Sequence, residues 1–570
     1  MHKGKQNNTR LFILFFLFIS ILAFYITRII YLQAFKSEYL SKLADNQHNI
    51  VLELKPQRGD ILDRNYRKLA VDHSVYSIYA VPKKIAKKNQ DVVAQALSEL
   101  LDLDKSFVSG RIDQDNSFAW IKREVDKETS DAVDALGIDG VELVKEYKRF
   151  YPKGPLASHI IGFAGLDDTG LEGVELEYDA YLKGSSGWRW TVRDAKRRSI
   201  LSGDTKSIPP SEGLNVILTI DETIQHIAER ELERAYKKFR AKSASIIVMD
   251  PFTGEILALA NRPSFDLNTF SSSTKDQMRN RAVADLYEPG SVFKVVTASG
   301  AIENKSVDLD QEFFCENGEY RVGGRILHDH NPHGKLTFKE VIEKSSNIGI
   351  TKVAQVLGAE EVYRFSRLFG FSRLTQIDLP GETAGILRPP KEWSAVSISA
   401  VPIGQEVGVT SIQLVTAISV IANGGSLVRP HVVREIRNED ADLIKAFFPG
   451  DTKRVLSEST AHVMRDILKG VVEEGTGRNA RADAYTTAGK TGTAQKIESD
   501  GAYSHTKFVA TFLGFAPADS PKIAIVVSVD EPRPIYYGGV VAAPVFRDVA
   551  VDVLRYLNVA ADKTDEEMGI

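Results

Sequence analysis

The longest apolar run lies near the start of the chain. Residues 11–27 carry no charge, Arg28 interrupts them, and apolar residues resume as far as Phe35. A helix over such a run is long enough to cross a bilayer. Lys3, Lys5 and Arg10 precede it without an acidic residue, which puts the short tail in the cytoplasm and the rest of the chain outside. The bulky segment from 25 to 31 has no small-x-small cleavage site, so an uncleaved anchor is expected rather than a signal peptide. Arg28 is expected to snorkel to the outer interface or to pair with a partner helix. Further on, 34–44 reads as helical with Leu40 and Leu43 on one side. Ile50, Leu52 and Leu54 alternate like a strand, and 90–103 returns to helical spacing.

A second pattern begins with an alternating strand at 214–220, followed by Asp221 as the N-cap of a helix running to Phe239. Residues 245–250 and 255–260 form a hairpin around the Pro251 to Gly254 turn. Helical patterns fill the middle of the chain. Strands return near Thr493, at 508–515 and at 523–529, ahead of a last helix around 544–557. An antiparallel sheet flanked by helices is expected, so the fold class is α+β. The expected divisions are a cytoplasmic tail (1–10), an anchor (11–35), an elongated pedestal (36–205), a linker (206–213), a catalytic domain (214–559) and a polar tail (560–570).

The 570 residues leave room for two or three domains. A net charge of −4 gives no electrostatic footprint of a nucleic-acid binder. Cys315 stands alone and forms no internal disulfide. His328, His330 and His333 invite a zinc reading, but Asn331-Pro332 and His333-Gly334 mark a turn, and no further Cys or His cluster completes a site. No metal is expected. His159, between apolar neighbours, reads as structural, and the 58–64 run with Arg58, Asp60, Asp63 and Arg64 reads as a salt-bridged corner.

Candidate chemistry centres on Glu288-Pro289-Gly290-Ser291-Val292-Phe293-Lys294, a turn feeding an apolar helix. Ser291 and Lys294 then share a face, the ammonium folds back onto the hydroxyl, and the helix N-terminus favours developing negative charge. That is an activated-nucleophile arrangement. Ser-x-x-Lys is weak by itself, but Lys344-Ser345-Ser346-Asn347 and Lys490-Thr491-Gly492-Thr493 follow in order. Together they form the signature of penicillin-recognising serine acyltransferases. Singly, the second could be an N-cap and the third a turn into an edge strand. Gly489-Lys490-Thr491 also ends like a phosphate-binding loop, but the first glycine of that pattern would fall on Ala484 and no apolar strand precedes it.

On these motifs the chain resembles the class B penicillin-binding proteins. The 58–64 box, the 149–162 and 173–178 segments, Gly475-Thr476-Gly477 and Tyr537-Gly538-Gly539 add to the resemblance. It implies a serine β-lactamase-like transpeptidase domain on a non-catalytic pedestal, cross-linking peptidoglycan stem peptides. The length, the 193–200 segment and the lack of appended C-terminal repeats look more like the cell-division branch (FtsI or penicillin-binding protein 3 type) than the elongation branch. The resemblance further implies that Ser291 attacks the carbonyl between two terminal D-alanines and that β-lactams acylate the same serine. Lys294 would be the neutral base, its pKa lowered by burial beside Lys490. Ser345 would relay a proton to the leaving amine, and Asn347 would hold the peptide. Lys490, Thr491, Gly492 and Thr493 would bind the substrate carboxylate, and the backbone N–H groups of Ser291 and Thr493 would form the oxyanion hole.

No cofactor is implied. The implied partners are D-Ala-D-Ala stem peptides, β-lactams, the membrane, and a multi-span glycan polymerase with other division proteins; the implied location is the bacterial inner membrane at the division site. A class A β-lactamase would need a Glu-x-x-Leu-Asn segment between Asn347 and Lys490, which is missing. A non-catalytic β-lactam sensor or division scaffold would have no reason to keep Ser291, Lys294, Ser345, Asn347 and Lys490 together.

Overall fold

A computed structural model of the chain describes residues 3–37, 49–113, 118–193, 199–200, 207–448, 450, 452–498 and 500–563. Most of the 34–44 helical pattern, with Leu40 and Leu43, the middle of the 193–200 segment and the end of the polar tail lie outside the described residues. The chain divides into two compact units, 1–56 with 184–212, and 57–183 with 213–570.

The first unit carries helix Lys3–Phe35. Its stretch Arg10–Phe35 has a mean hydropathy of 2.5 and no buried side chains. A helix apolar on every face has no polar side to give to water, which is the signature of a membrane span. Arg28 lies over the Tyr31 ring at 5.6 Å. The same unit holds an antiparallel pairing of Asn49–Leu54 with Gly187–Arg193, Val51 facing Trp190.

In the second unit, residues 57–183 are knitted by buried charge. Arg58 Nε donates to Glu175 Oε2 (2.7 Å) and Arg58 Nη1 to Asp179 Oδ1 (2.7 Å). Arg149 Nε donates to Glu175 Oε1 (2.6 Å) and its Nη1 to Asp72 Oδ1 (3.2 Å). Arg58 of the expected corner is therefore salt-bridged, but to Glu175 and Asp179 rather than within 58–64, and it shares Glu175 with Arg149, while Arg64 pairs with Glu255 and Asp60 with Lys68. Removing one member of the Arg58, Glu175 and Arg149 set would strand a buried charge at a cost of about 3–5 kcal/mol. Strand Asn215–Leu218 pairs in parallel with Ile61–Leu62 and antiparallel with Val433–Arg437, so one mixed sheet runs through this unit.

The site is built on a second, five-stranded antiparallel sheet. Its strands are β1 (Ser243–Met249), β2 (Ile256–Arg262), β3 (Ala488–Ile497), β4 (Tyr503–Ala516) and β5 (Ile523–Asp530), in the spatial order β2-β1-β5-β4-β3. Alternate residues serve different cores. Ile246, Val248, Val527 and Val529 pack on one face with helices α1 (Glu222–Lys238) and, near the C-terminus, Ala543–Tyr556. Ile247, Met249, Ala524 and Val526 pack on the other with α2 (Lys294–Glu303), α3 (Asn347–Leu357) and α4 (Ser411–Ala422). Burial on both faces explains why β1 and β5 read as near-continuous apolar runs. Asp221 caps α1 as expected, accepting from the N–H groups of Thr223 and Ile224. His159 is buried, its Nε2 lies 2.8 Å from the Gln277 carbonyl, and burial pushes its pKa down to about 4, which suits a structural imidazole.

Candidate active site

The three motifs meet at one end of the five-stranded sheet. Ser291 lies in a single 3-10 turn, Gly290–Phe293, rather than in the α-helix itself, and α2 begins at Lys294. Gly290 takes φ +60°, a left-handed conformation that glycine adopts without steric cost, and this folds the chain sharply into the turn. Edge strand β3 lies directly against it. A Cβ on Gly492 would come within 2.9 Å of both the Pro289 carbonyl oxygen and Val292 Cγ1. Gly492, expected among the substrate contacts, has a packing role as well: its missing side chain lets β3 close on the nucleophile turn. The Gly489-Lys490-Thr491 run lies inside β3, an extended strand, and not in a phosphate-cradling loop.

Lys294 is fully buried. Its Nζ donates to the Ser345 carbonyl (2.5 Å), Ser345 Oγ (3.2 Å) and Asn347 Oδ1 (2.8 Å). This corrects the expectation that it folds back onto the Ser291 hydroxyl. An ammonium has three N–H donors and no acceptor, and all three are committed to the second motif. Loss of one proton frees a lone pair. Ser345 sits at φ +58°, an uncommon left-handed conformation for a serine that costs about 1–3 kcal/mol and is found where function over-determines the backbone. Ser346 caps α3 by accepting from the Gly349 N–H, so the plain N-cap reading of this motif is also correct.

Lys490, also fully buried, donates to Ser345 Oγ (2.9 Å) and to the Thr491 carbonyl (3.2 Å). Ser345 Oγ thus accepts from both amines, leaving its own proton to be donated elsewhere. Burial brings the Lys294 pKa down to about 7, against the opposing pull of Asp329 and Cys315. Lys490 is driven well below the ordinary lysine value by burial, with repulsion from Lys294 adding to it. Burial thus holds both amines below the ordinary lysine range, and charge on either one disfavours charge on the other.

Ser291, Ser345, Asn347, Thr491 and Thr493 all line one cavity of 680 Å³, with Lys294 and Lys490 behind its wall. Thr491 Oγ1 lies 2.8 Å from Thr476 Oγ1, and Thr493 Oγ1 accepts from the Gly538 N–H (3.0 Å). In the same cavity wall, Tyr536 stacks on Phe508 (centroids 4.0 Å apart) and Tyr537 meets the His330 ring edge-on (5.3 Å). The aromatic wall was not legible in the sequence beyond the Tyr537-Gly538-Gly539 run.

Asp329 was missed altogether. Its carboxylate accepts from Ser346 Oγ (2.6 Å), the Ile348 N–H (3.0 Å) and the Asn347 N–H, so it anchors the N-terminus of α3. The His328 carbonyl accepts from Asn347 Nδ2 (2.9 Å). The turn read from the three histidines thus fixes the second motif. The only signal was one acid among them, too far from Asn347 in sequence for a local capping pattern to reveal it.

The family model "Penicillin binding protein transpeptidase domain" matches residues 244–550, and "Penicillin-binding Protein dimerisation domain" matches 53–218. The chain is a class B penicillin-binding protein. Stage V sporulation protein D of Bacillus subtilis is 37% identical to this penicillin-binding protein over 97% of the chain and 87% of its own length. Peptidoglycan D,D-transpeptidase FtsI of Escherichia coli is 33% identical over 95% of the chain and 90% of its own length. Penicillin binding protein 3 of Mycobacterium tuberculosis, complexed with aztreonam, superposes with a TM-score of 0.71 at 29% identity, covering 90% of this chain and 98% of that one. This class B penicillin-binding protein is a serine D,D-transpeptidase of cell-wall synthesis that acts on peptidoglycan stem peptides and binds β-lactams.

Proposed function

We propose that Ser291 is the nucleophile of this transpeptidase and Lys294 its general base. The observation that carries the reading is the convergence of two buried amines on Ser345, in the wall of the cavity that Ser291 lines. Neutral Lys294 accepts the Ser291 proton as Oγ attacks the penultimate D-alanine carbonyl, and the N–H groups of Ser291 and Thr493 stabilise the oxyanion. The C–N bond then breaks. Ser345 passes a proton, replenished from Lys294, to the departing D-alanine amine, leaving an acyl-enzyme. An amine of a second stem peptide attacks the ester, gives up its proton by the same route, and releases Ser291 as the cross-link forms. Asn347 holds the peptide.

The Thr491 and Thr493 hydroxyls and Lys490 receive the substrate carboxylate. That carboxylate favours the charged form of Lys490, and the resulting charge keeps Lys294 neutral during reaction. Lys490→Gln removes that charge from the enzyme–substrate complex, which the kcat profile reports. The midpoint of the kcat profile should move upward. pH–rate profiles on one D-Ala-D-Ala peptide check this, and an unmoved kcat midpoint contradicts the coupling. Asp329→Asn should do the opposite to kcat/KM: its carboxylate favours charged Lys294, so its loss moves the acylation midpoint to lower pH. Coinciding midpoints for variant and wild type contradict that role.

The anchor is proposed to be a single pass through the inner membrane, N-terminus inside and catalytic domain outside, serving septal synthesis beside a multi-span glycan polymerase. The charge pattern before the span and the similarity to FtsI support this reading. Exchanging 11–35 for an unrelated span of equal length should reduce polymerase co-purification and mid-cell recruitment, with Arg28 the candidate contact. Fluorescence localisation checks it. Full complementation by the chimera reduces the helix to a tether, and uniform side-wall signal from the native protein assigns it to the elongation branch.

A further inference from the structure

Next to the catalytic cleft lies a second cavity, of 430 Å³, which no step above uses. Gln495, two residues past Thr493 on edge strand β3, lines both cavities. The second is walled by Leu286, Ile386, Val407, Ile497 and Val509, and Glu288 also lines it, three residues before the nucleophile. Glu288 Oε1 accepts from the Glu406 N–H (2.8 Å) and from Tyr503 Oη (3.2 Å). Its Oε2 is buried and has no donor among the described residues.

The other charges around this carboxylate are accounted for. Glu406 Oε2 accepts from Arg388 Nη2 and Ser397 Oγ, both at 2.7 Å. Lys496 donates to Asp530 and Glu531. Burial raises the Glu288 pKa above the ordinary carboxylate value, against the pull of Arg325, and no hydrogen bond joins the two among the described residues. A buried carboxylate oxygen without a donor is costly, more so than a neutral group. An apolar cavity with a carboxylate-bearing side chain in its wall matches an aliphatic chain ending in an ammonium.

The reaction supplies that chemistry. Donor and acceptor strands come from the same polymer, so a stem peptide that ends in D-Ala-D-Ala also carries the amine that attacks an acyl-enzyme. We propose that this pocket receives the aliphatic primary ammonium of a stem peptide, with Glu288 as its counter-ion. Glu288 is thereby a specificity residue for amine-bearing substrates, and the proposal rests on the acyl-transfer reading above. The ammonium belongs either to the donor peptide, laid along the free edge of β3, or to the incoming acceptor.

The test uses the full-length protein in detergent. Three synthetic donors ending in D-Ala-D-Ala differ only in a side chain that ends in a free amine, an acetylated amine or a methyl group. For the wild type, D-alanine release should favour the free amine by at least about tenfold in kcat/KM, as expected for one charge-assisted hydrogen bond in a desolvated site. Glu288→Gln keeps an oxygen for the Glu406 N–H and Tyr503, and should reduce that preference to about twofold or less. In a second arm, preformed acyl-enzyme partitions between water and an amine acceptor. A shift towards water in Glu288→Gln, without a donor preference, assigns the pocket to the acceptor amine. No amine preference in the wild type together with unchanged partitioning in folded Glu288→Gln overturns the proposal; if the variant does not fold, the wild type must still show the donor preference or a preference for amine acceptors with a longer aliphatic chain, and the absence of both overturns it. Benzylpenicillin labelling of the same wild-type sample keeps the two readings apart. Absent labelling overturns the acyl-enzyme reading, whereas full labelling without an effect in either arm overturns only the role of the pocket.

Discussion

Ser291→Ala is expected to abolish both covalent labelling by penicillin and cross-linking, with the protein still folded. The substitution removes one oxygen from a side chain that lines the cavity and leaves the hydrogen bonds of Lys294, Ser345 and Lys490 in place. The other motif hydroxyls are already engaged, that of Thr491 with Thr476. Ser345 Oγ already accepts from two amines, and Thr493 Oγ1 accepts from the Gly538 N–H. Since one missing nucleophile in a concerted set removes nearly the whole effect, labelling should fall below detection while the thermal melting curve stays within about a degree or two, as for a surface-lined site without core contacts. Labelled-penicillin gels and circular dichroism on the same preparation check it. Stoichiometric labelling of the variant would remove Ser291 from the mechanism.

The second large effect concerns Lys294→Arg. A guanidinium keeps its charge at any usable pH and cannot accept a proton, and its planar fork does not match the three acceptors that Ser345 and Asn347 present to Nζ. Acylation should fall by about 10²–10⁴-fold, the usual contribution of a general base. The pH dependence is the sharper reading. In the wild type, activity follows the neutral amine, so acylation is suppressed below the Lys294 pKa of about 7, rises with pH through it and then levels. The residual rate of Lys294→Arg should lack that step. Activity within tenfold of wild type, or a step retained near pH 7, would take the role of base away from Lys294.

What could be read along the chain was local. Ser291 to Lys294, Ser345 to Asn347 and Lys490 to Thr493 are each a few residues long, and their order carried the assignment. The alternation at 214–220, the Asp221 cap and the apolar span at 11–35 were equally legible, because each depends on neighbours within one or two turns. What escaped depends on contacts between distant residues. The three hydrogen bonds of Lys294 reach 51 and 53 positions ahead, and Arg58 finds Glu175 across 117. No periodicity encodes such pairings. The 3-10 form of the nucleophile turn was missed for another reason: Pro289 and the left-handed Gly290 tighten a segment whose apolar pattern continues unbroken into α2. Asp329 and Glu288 were passed over because their meaning lies in what they face, a helix terminus in one case and an apolar cavity in the other.

The most direct test of the account is to trap the acyl-enzyme with a D-Ala-D-Ala stem peptide, measure the intact mass and map the modified peptide. The account predicts one adduct, equal to the donor less its terminal D-alanine, on the peptide containing Ser291. That adduct should disappear when an amine acceptor is added, as the cross-linked dimer forms. Cross-linked product without any adduct at Ser291, or an adduct on a different residue, would contradict it.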